Sequence, residues 1–135
     1  MGLLSEQQPH PTFQSCQIVC LEHEANRLYA EVVQVAEPRQ VCWVRPLILV
    51  LQPSDELGWY DGISQATRLY NLRGEVDLLL PVTLFRAALD EEVIPVLPYL
   101  YAEETSELAL KLERVEPTQL RQLVQTICQA HPEAF

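Results

Sequence analysis

The stretch QVCWVRPLILVL, residues 40–51, constrains the fold most, because it is the most apolar run of the chain and has an arginine in its middle. A membrane span needs about 20 apolar residues, so this run is too short for one, and Arg45 and Pro46 interrupt it. Its apolar residues occupy both faces of a strand, which is typical of a central strand with both sides covered. Trp43 is therefore expected in the core.

A break in strand pairing is predicted at Arg45-Pro46. Pro46 has no N–H to donate to a neighbouring strand, so a bulge or bend is expected there. That bend lets the Arg45 guanidinium leave the core.

Two further strands are predicted before this run. In SCQIVCLEH (residues 15–23) and RLYAEVVQV (residues 27–35), successive side chains alternate between two apolar sides. The connections HEAN and AEPRQ are too short for a parallel crossover. The three strands are therefore predicted to form an antiparallel meander.

The middle of the chain predicts a loop, a hairpin and a helix. Residues 52–64 form the longest polar loop, and residues 66–72 and 76–81 look like the two strands of a second hairpin. A helix is expected to start at Pro81 and run through VTLFRAALDEE. Prolines then exclude a continuous helix over residues 93–101, where irregular buried chain is expected.

The end of the chain contains one ambiguous segment and one clear helix. SELALKLERV, residues 106–115, fits either a strand or a helix, and the strand is preferred. In TQLRQLVQTICQAHP the apolar residues recur at helical spacing, which predicts an amphipathic helix. Its apolar stripe consists of Leu120, Leu123, Val124, Ile127 and Cys128.

These elements predict one α+β domain. It would be an antiparallel meander or small half-open barrel of five to six strands, with two helices packed on it. Residues 1–14 are interpreted as a disordered lead-in and residues 15–135 as the domain. A chain of 135 residues with 48% hydrophobic and 21% charged residues is long and apolar enough for one core.

The charge balance bears on the choice of partner. Nineteen acidic and nine basic side chains give a net charge of −10, which repels nucleic acid and anionic lipid. We therefore expect neither nucleic acid nor membrane as a partner. Eight of the nine cations are arginine, which forms forked contacts with carboxylates, and a protein partner with a basic surface fits the acidic excess.

Cofactor and metal sites lack support in the sequence. The glycines are never clustered as a phosphate cradle requires. The cysteines have no zinc-like spacing. Because the sequence shows no export signal, we expect the protein to be cytoplasmic and its cysteines to be reduced and buried. They are Cys16, Cys20, Cys42 and Cys128.

The segment GWYDG, residues 58–62, is the strongest candidate for a binding surface. Trp59, Tyr60 and Asp61 lie between two glycines, and large aromatic residues on a hinged loop are typical of recognition surfaces. Arg68 and Arg73 on the following hairpin are expected to rim the same surface. These residues predict a non-catalytic interaction protein, an assembly or regulatory factor, although Trp59 folded back onto the core is the competing interpretation.

Two other functions stay open. A small-ligand site is conceivable between the sheet and residues 93–101, lined by Tyr99, Tyr101 and Trp43. An enzyme with carboxylate chemistry would use the acidic run that follows the predicted helix. Those carboxylates are Asp90, Glu91 and Glu92.

The stretch LYNLRGEVDLLLPVTLFRAALD, residues 69–90, resembles short cyanobacterial proteins. The resemblance covers less than a quarter of the chain. It implies a cyanobacterial origin but identifies no functional site.

Overall fold

A computed structural model of the protein describes residues 12–37, 39–51, 68–100, 113–114 and 117–135. In this part of the chain seven strands form one sheet, accompanied by three α-helices. The strands are β1 (Ile18–His23), β2 (Asn26–Ala36), β3 (Val41–Leu51), β4 (Arg68–Asn71), β5 (Leu78–Pro81), β6 (Phe85–Ala87) and β7 (Glu113–Arg114). The helices are α1 (Asp90–Val93), α2 (Leu97–Leu100) and α3 (Pro117–Ala130), and single 3-10 turns lie at Val82–Leu84 and Pro132–Ala134.

The meander of β1, β2 and β3 confirms the prediction from the alternating residues. β1 and β2 pair antiparallel across a tight turn in which His23 is opposite Asn26. β2 and β3 pair antiparallel from Arg27 opposite Val50 to Ala36 opposite Val41. Short connections bring each strand back beside the one before it.

The predicted break at Arg45-Pro46 is confirmed. Ala30 lies opposite Pro46 while Tyr29 lies opposite Ile48, so Leu47 is an extra residue in β3. Such a bulge bends the strand at the residue that has no N–H to donate. The Arg45 side chain is 55% exposed, as expected of a guanidinium that leaves the core here.

The predicted hairpin of residues 66–72 and 76–81 is wrong. Both strands pair antiparallel with β3 instead, β4 along Ile48–Leu51 and β5 along Val41–Val44. They lie end to end along one edge of β3 and run in the same direction. The long, apolar β3 offers both strands a partner, and the pattern of residues within β4 and β5 does not specify which strand they pair with.

The sheet stays open and the fold belongs to the α+β class, as predicted, but the described residues form seven strands and three α-helices rather than five to six strands and two helices. The strand order is β6-β1-β2-β3-β4-β7, with β5 pairing β3 beside β4. β1 to β6 pair antiparallel, and only β7 pairs parallel, with β4. No described pairing joins β6 to β7. Of the predicted strand at residues 106–115, the structure describes Glu113 and Arg114, which form β7.

Each face of the sheet has its own apolar cluster, because directly opposed residues of paired strands share a face. The face we call the α3 face packs against α3, whose Leu120 and Ile127 are buried in that cluster. Phe13, within the predicted lead-in, is also buried there. The opposite face, which we call the cover face, packs against residues 88–99, the cover segment. Its cluster consists of Cys20, Tyr29, Ile48, Val50, Leu69, Val93 and Val96.

The predicted helix over residues 82–92 is wrong in its position. Val82–Leu84 forms one 3-10 turn and Phe85–Ala87 is β6, which pairs with β1. Pairing with the free edge of β1 outweighs the helical spacing of the apolar residues, because Phe85 then packs on the α3 face opposite Leu21. The helix starts only at Asp90.

The proline-containing segment after α1 is a turn followed by a one-turn helix. Pro95 lies in the turn, and Pro98 lies in the first turn of α2, where the missing N–H leaves no helical bond unmade. The segment is partly buried, with Val96 completely so. The prolines therefore interrupt the helix, as predicted, but the expectation of irregular, buried chain is wrong in part, because Leu97–Leu100 is helical and Ile94 is 61% exposed.

The four cysteines are free thiols, but they are not all buried. Cys20 and Cys42 are buried, Cys128 is half-buried, and Cys16 is exposed. Cys16 lies in the turn before β1 with a φ of 72°, so the predicted strand from residue 15 begins only at Ile18. The expectation that Cys16 packs inside is therefore wrong.

Candidate functional site

The cover segment reaches only part of the cover face. It packs over Tyr29, Ile48 and Val50, which lie on one side of the bulge in β3. On the other side of the bulge, none of the described helices or turns packs on the same face. We call this part the open half. Register places its residues on one face: Glu31, Gln34, Ala36, Val41, Trp43, Arg45, Leu79 and Pro81.

Trp43 and Leu79 form the apolar centre of the open half. The two residues are directly opposite each other in β3 and β5. Leu79 is 66% exposed and Trp43 is 37% exposed. The expectation that Trp43 lies in the core is therefore wrong, because the cover segment ends before it reaches this part of β3.

Polar contacts hold the Trp43 side chain in place. Its indole N–H donates to Asp77 Oδ2 over 2.8 Å. Arg45 Nε donates to the other oxygen, Oδ1, over 3.4 Å. Asp77 thus joins an indole and a guanidinium on one surface, and both side chains remain partly exposed. The arrangement is suited to recognition, because its side chains are already ordered before a partner arrives.

A second polar cluster lies under the cover segment, centred on Glu92, which is 3% exposed. Arg86 donates two hydrogen bonds to the carboxylate, from Nη1 to Oε2 over 2.7 Å and from Nη2 to Oε1 over 3.0 Å. The Tyr29 hydroxyl donates to Oε1 over 2.7 Å. The backbone N–H of Leu89 donates to Oε2 over 2.9 Å, the contact by which the third residue of a helix caps its start.

The cluster continues to the surface through Glu22. Its Oε2 accepts from Arg86 Nη2 over 3.3 Å and from Arg27 Nε over 3.0 Å. Two carboxylates and two guanidiniums therefore alternate, from the buried Glu92 through Arg86 and the partly exposed Glu22 to Arg27. The alternation keeps the cluster neutral, which a partly buried charge network requires.

The protonation states in this cluster follow from its contacts. Burial by itself raises the pKa of Glu92, but the hydrogen bonds from Arg86, Leu89 and Tyr29 outweigh it and hold the pKa below 4.5. The bond to Glu92 raises the pKa of Arg86. Burial, together with the bond to Glu92, raises the pKa of Tyr29. Glu92 is thus an anion and Tyr29 a neutral donor at neutral pH.

The buried thiol beside this cluster is protonated as well. Burial raises the pKa of Cys20 from 9.0 to about 12, against the opposing effect of Arg86. Burial also raises the pKa of Cys42 and of Cys128. A protonated thiol is a poor nucleophile and a poor metal ligand, so these three thiols are unreactive at neutral pH.

The acidic run that the enzyme hypothesis uses is split by the fold. Glu92 is buried, and four bonds from Arg86, Tyr29 and Leu89 occupy both of its oxygens. Asp90 and Glu91 are exposed on α1. The three carboxylates therefore do not converge on one substrate position.

The predicted partner-binding residues lie partly outside the described chain. Trp59, Tyr60 and Asp61 are outside the described residues. Arg68 is the exposed first residue of β4. Arg73 is exposed in the turn after β4, where its backbone N–H donates to Asn71 Oδ1 over 2.9 Å.

The residues of the predicted ligand pocket are not brought together where the structure describes them. Tyr99 packs against the cluster under the cover segment, and Val96 fills that space. Trp43 lies on the open half instead, and Tyr101 is outside the described residues.

Leu79 and Asp77 belong to the candidate site, and the sequence analysis did not single them out. They lie in VDLLLP, a run that predicts a strand in which one of three successive leucines faces away from the core. That alternation was the available signal. It did not reveal Asp77 as a partner of Trp43, because the pairing of β5 with β3 brings together residues far apart in sequence.

Within the described ranges, no group of three or more histidine, cysteine or acidic side chains is arranged to hold a metal ion. No helix of that part of the chain is long and apolar enough to cross a bilayer. No protein-family model, curated protein or solved structure matches the chain.

Proposed function

We propose that this protein is a non-catalytic interaction protein, an assembly or regulatory factor, that binds a partner protein through the open half of its sheet. The observation that carries the proposal is the exposed Trp43–Leu79 pair, whose indole is fixed by Asp77. Tryptophan and arginine are the residue types that dominate binding energy at protein interfaces. Side chains ordered in advance lose little entropy when a partner binds.

The partner that fits this surface has a basic rim. The chain carries a net charge of −10, so a basic protein is attracted and steered towards it. On the open half itself Arg45 pairs with Asp77 and lies opposite Glu31, so two carboxylates and one guanidinium flank the apolar centre. Apolar contact at the centre would then supply affinity, and the surrounding negative field would raise the association rate.

The aromatic loop predicted at residues 58–62 is proposed as a second part of the same interface. Arg68 and Arg73, which adjoin it in the chain, are exposed on β4 and the turn after it. The cytoplasm is the proposed setting, since the four cysteines are free thiols and disulfides are rare there.

A charge placed on the open half tests the proposal. Leu79→Asp puts a carboxylate at the centre of the surface, and Ile94→Asp is the matched control, because Leu79 and Ile94 are 66% and 61% exposed. The wild type, immobilised in native lysate, is used to recover and identify partners. The affinity of the main partner is then measured for each variant by calorimetric titration.

We expect Leu79→Asp to weaken that affinity at least about tenfold, the effect of losing one interface anchor, and Ile94→Asp to leave it unchanged. Salt should slow association with the wild type, because the proposed steering is electrostatic. Equal affinities for both variants would refute the open half as the interface. Trp59→Ala and Tyr60→Ala test the loop separately, and undiminished binding with the fold intact would remove the loop from the interface.

A further inference from the structure

A cavity of about 450 Å³ lies between α3 and the turn that joins β4 to β5. It is on the α3 face, away from the open half. Small-molecule sites in proteins have volumes of roughly 300–1,000 Å³. The cavity is therefore large enough for a ligand, and its apolar lining consists of Val76, Leu78, Leu120, Val124 and Cys128.

The wall formed by the β4–β5 turn depends on Gly74, which has a φ of 96°. In this left-handed region a side chain is strained, so glycine suits the turn. Val76 follows in this turn and lines one side of the cavity, and 74% of its surface is exposed. Such an apolar surface stays in contact with water unless a ligand covers it.

The wall formed by α3 carries the polar groups. Arg121 and Gln125 are one helical turn apart and both line the cavity beside Val124. Among the residues that the structure describes, Arg121 forms no ion pair, in contrast to Arg27, Arg45 and Arg86. Its guanidinium is thus available to an anion.

The opposite wall carries one carboxylate, that of Glu75. Glu75 repels an anionic group placed beside the turn, so a bound anion is directed to the α3 wall. The charges at the cavity therefore favour one orientation: the anionic group at Arg121 and Gln125, and the apolar body against Val76, Leu78 and Val124.

We propose that this cavity binds a small organic anion with an apolar body, an aromatic or aliphatic carboxylate or sulfonate. Arg121 holds the anionic group through charge-assisted hydrogen bonds, and Gln125 adds an amide donor. The apolar lining holds the rest of the molecule. This binding site is separate from the open half and does not depend on the proposed interface.

Two fluorescent probes test the proposal, anilinonaphthalene sulfonate and the neutral phenylnaphthylamine, which share an aromatic body and differ in the anionic group. Both are titrated into the folded protein. We expect saturable binding of one anionic probe per chain. Arg121→Gln should weaken the anionic probe about tenfold, the loss of one charge-assisted contact, and leave the neutral probe unchanged.

Two control variants accompany this comparison. Arg39→Gln removes an exposed guanidinium outside the cavity and should change neither probe. Leu79→Asp, the variant that tests the interface, should also leave both probes unchanged. A failure of the interface proposal is thereby distinguishable from a failure of this one.

A second variant fills the cavity. Val76→Trp places a large side chain into it from an exposed position and should weaken both probes, whereas Leu79→Trp, from a comparably exposed position on the opposite face, should weaken neither. Thermal unfolding establishes that each variant is folded. Non-saturable binding, an unchanged response to Val76→Trp, or an equal effect of Arg121→Gln on both probes would overturn the proposal.

Discussion

Glu92 connects the cover segment to the sheet. It belongs to α1, and its partners Arg86 and Tyr29 belong to β6 and β2, so one carboxylate ties three elements together. A buried pair of this kind contributes little net stability when intact, because removing its charges from water is costly. Replacing Glu92 nevertheless lowers stability, because its remaining partners stay buried without a counter-charge.

Replacing Glu92 tests this difference between an intact pair and a broken one. Glu92→Gln should lower the free energy of unfolding by about 2–4 kcal/mol, less than for a fully buried pair, since Arg86 is partly exposed and can recruit water. Glu91→Gln, the exposed neighbour on α1, should change it by less than about 0.5 kcal/mol. Urea unfolding at neutral pH measures both, and similar values for the two variants would contradict the role of Glu92.

The same carboxylate predicts a response to acid. The contacts of Glu92 hold its pKa in the folded protein below 4.5, its ordinary value. The stability it contributes is therefore fully present above pH 4.5 and is lost as the pH falls through the folded-state pKa. Glu22, whose pKa burial raises but hydrogen bonds from Arg86 and Arg27 lower overall, acts in the same direction.

We expect the difference in unfolding free energy between the wild type and Glu92→Gln to be constant from neutral pH down to about pH 5 and to shrink at lower pH. Urea unfolding at a series of pH values measures it. A difference that grows on acidification would mean that the folded-state pKa of Glu92 is raised rather than lowered.

Among the elements, the cover segment decides which part of the cover face is core. Its two short helices cannot be stable alone, since isolated helices need more than about a dozen residues. They are held by Val93 and Val96, which pack on Ile48 and the residues around it, and by the Glu92 contacts. Where the segment ends, the sheet face becomes the open half.

Val96→Ala should therefore be costly, lowering the free energy of unfolding by about 1.5–3 kcal/mol through lost apolar contact and the cavity left behind. Ile94→Ala removes more atoms but from a side chain that is 61% exposed, so less than about 0.5 kcal/mol is expected. Thermal or urea unfolding distinguishes them. If Ile94→Ala were the more costly, the cover segment would pack by its other side.

At the scale of the whole molecule, charge opposes compactness. Nineteen acidic side chains face nine basic ones, so ten carboxylates would remain without a cation of their own even if every cation paired with one, and these carboxylates repel one another. Salt screens such repulsion over a distance of about 10 Å at 0.1 M. Screening relieves repulsion between exposed groups more than it weakens the sheltered Arg86–Glu92 pair.

Raising NaCl from about 20 to about 200 mM should therefore raise Tm by roughly 2–4 °C. Differential scanning calorimetry measures the shift. Glu37→Lys, at an exposed turn position, reduces the net charge and should diminish the response. A Tm that falls with salt would show that ion pairs outweigh repulsion.

Several features were predictable because they are local. The alternation of apolar residues specified β1 to β3, and the missing N–H of Pro46 specified the bulge beside Arg45. The prolines at 95 and 98 set where the helix is interrupted. Each depends on neighbours within a few residues, so the chain itself contains the information.

The site depended on contacts between distant residues. The pairing of β5 with β3 placed Leu79 and Asp77 beside Trp43, and the residues within β5 do not specify which strand it pairs with. How far the cover segment reaches determined that Ile48 is buried while Trp43 on the same face is exposed. The sequence by itself thus determined the strands and their breaks. Only the tertiary structure decided which apolar residues meet solvent, because burial depends on which distant element lies on top.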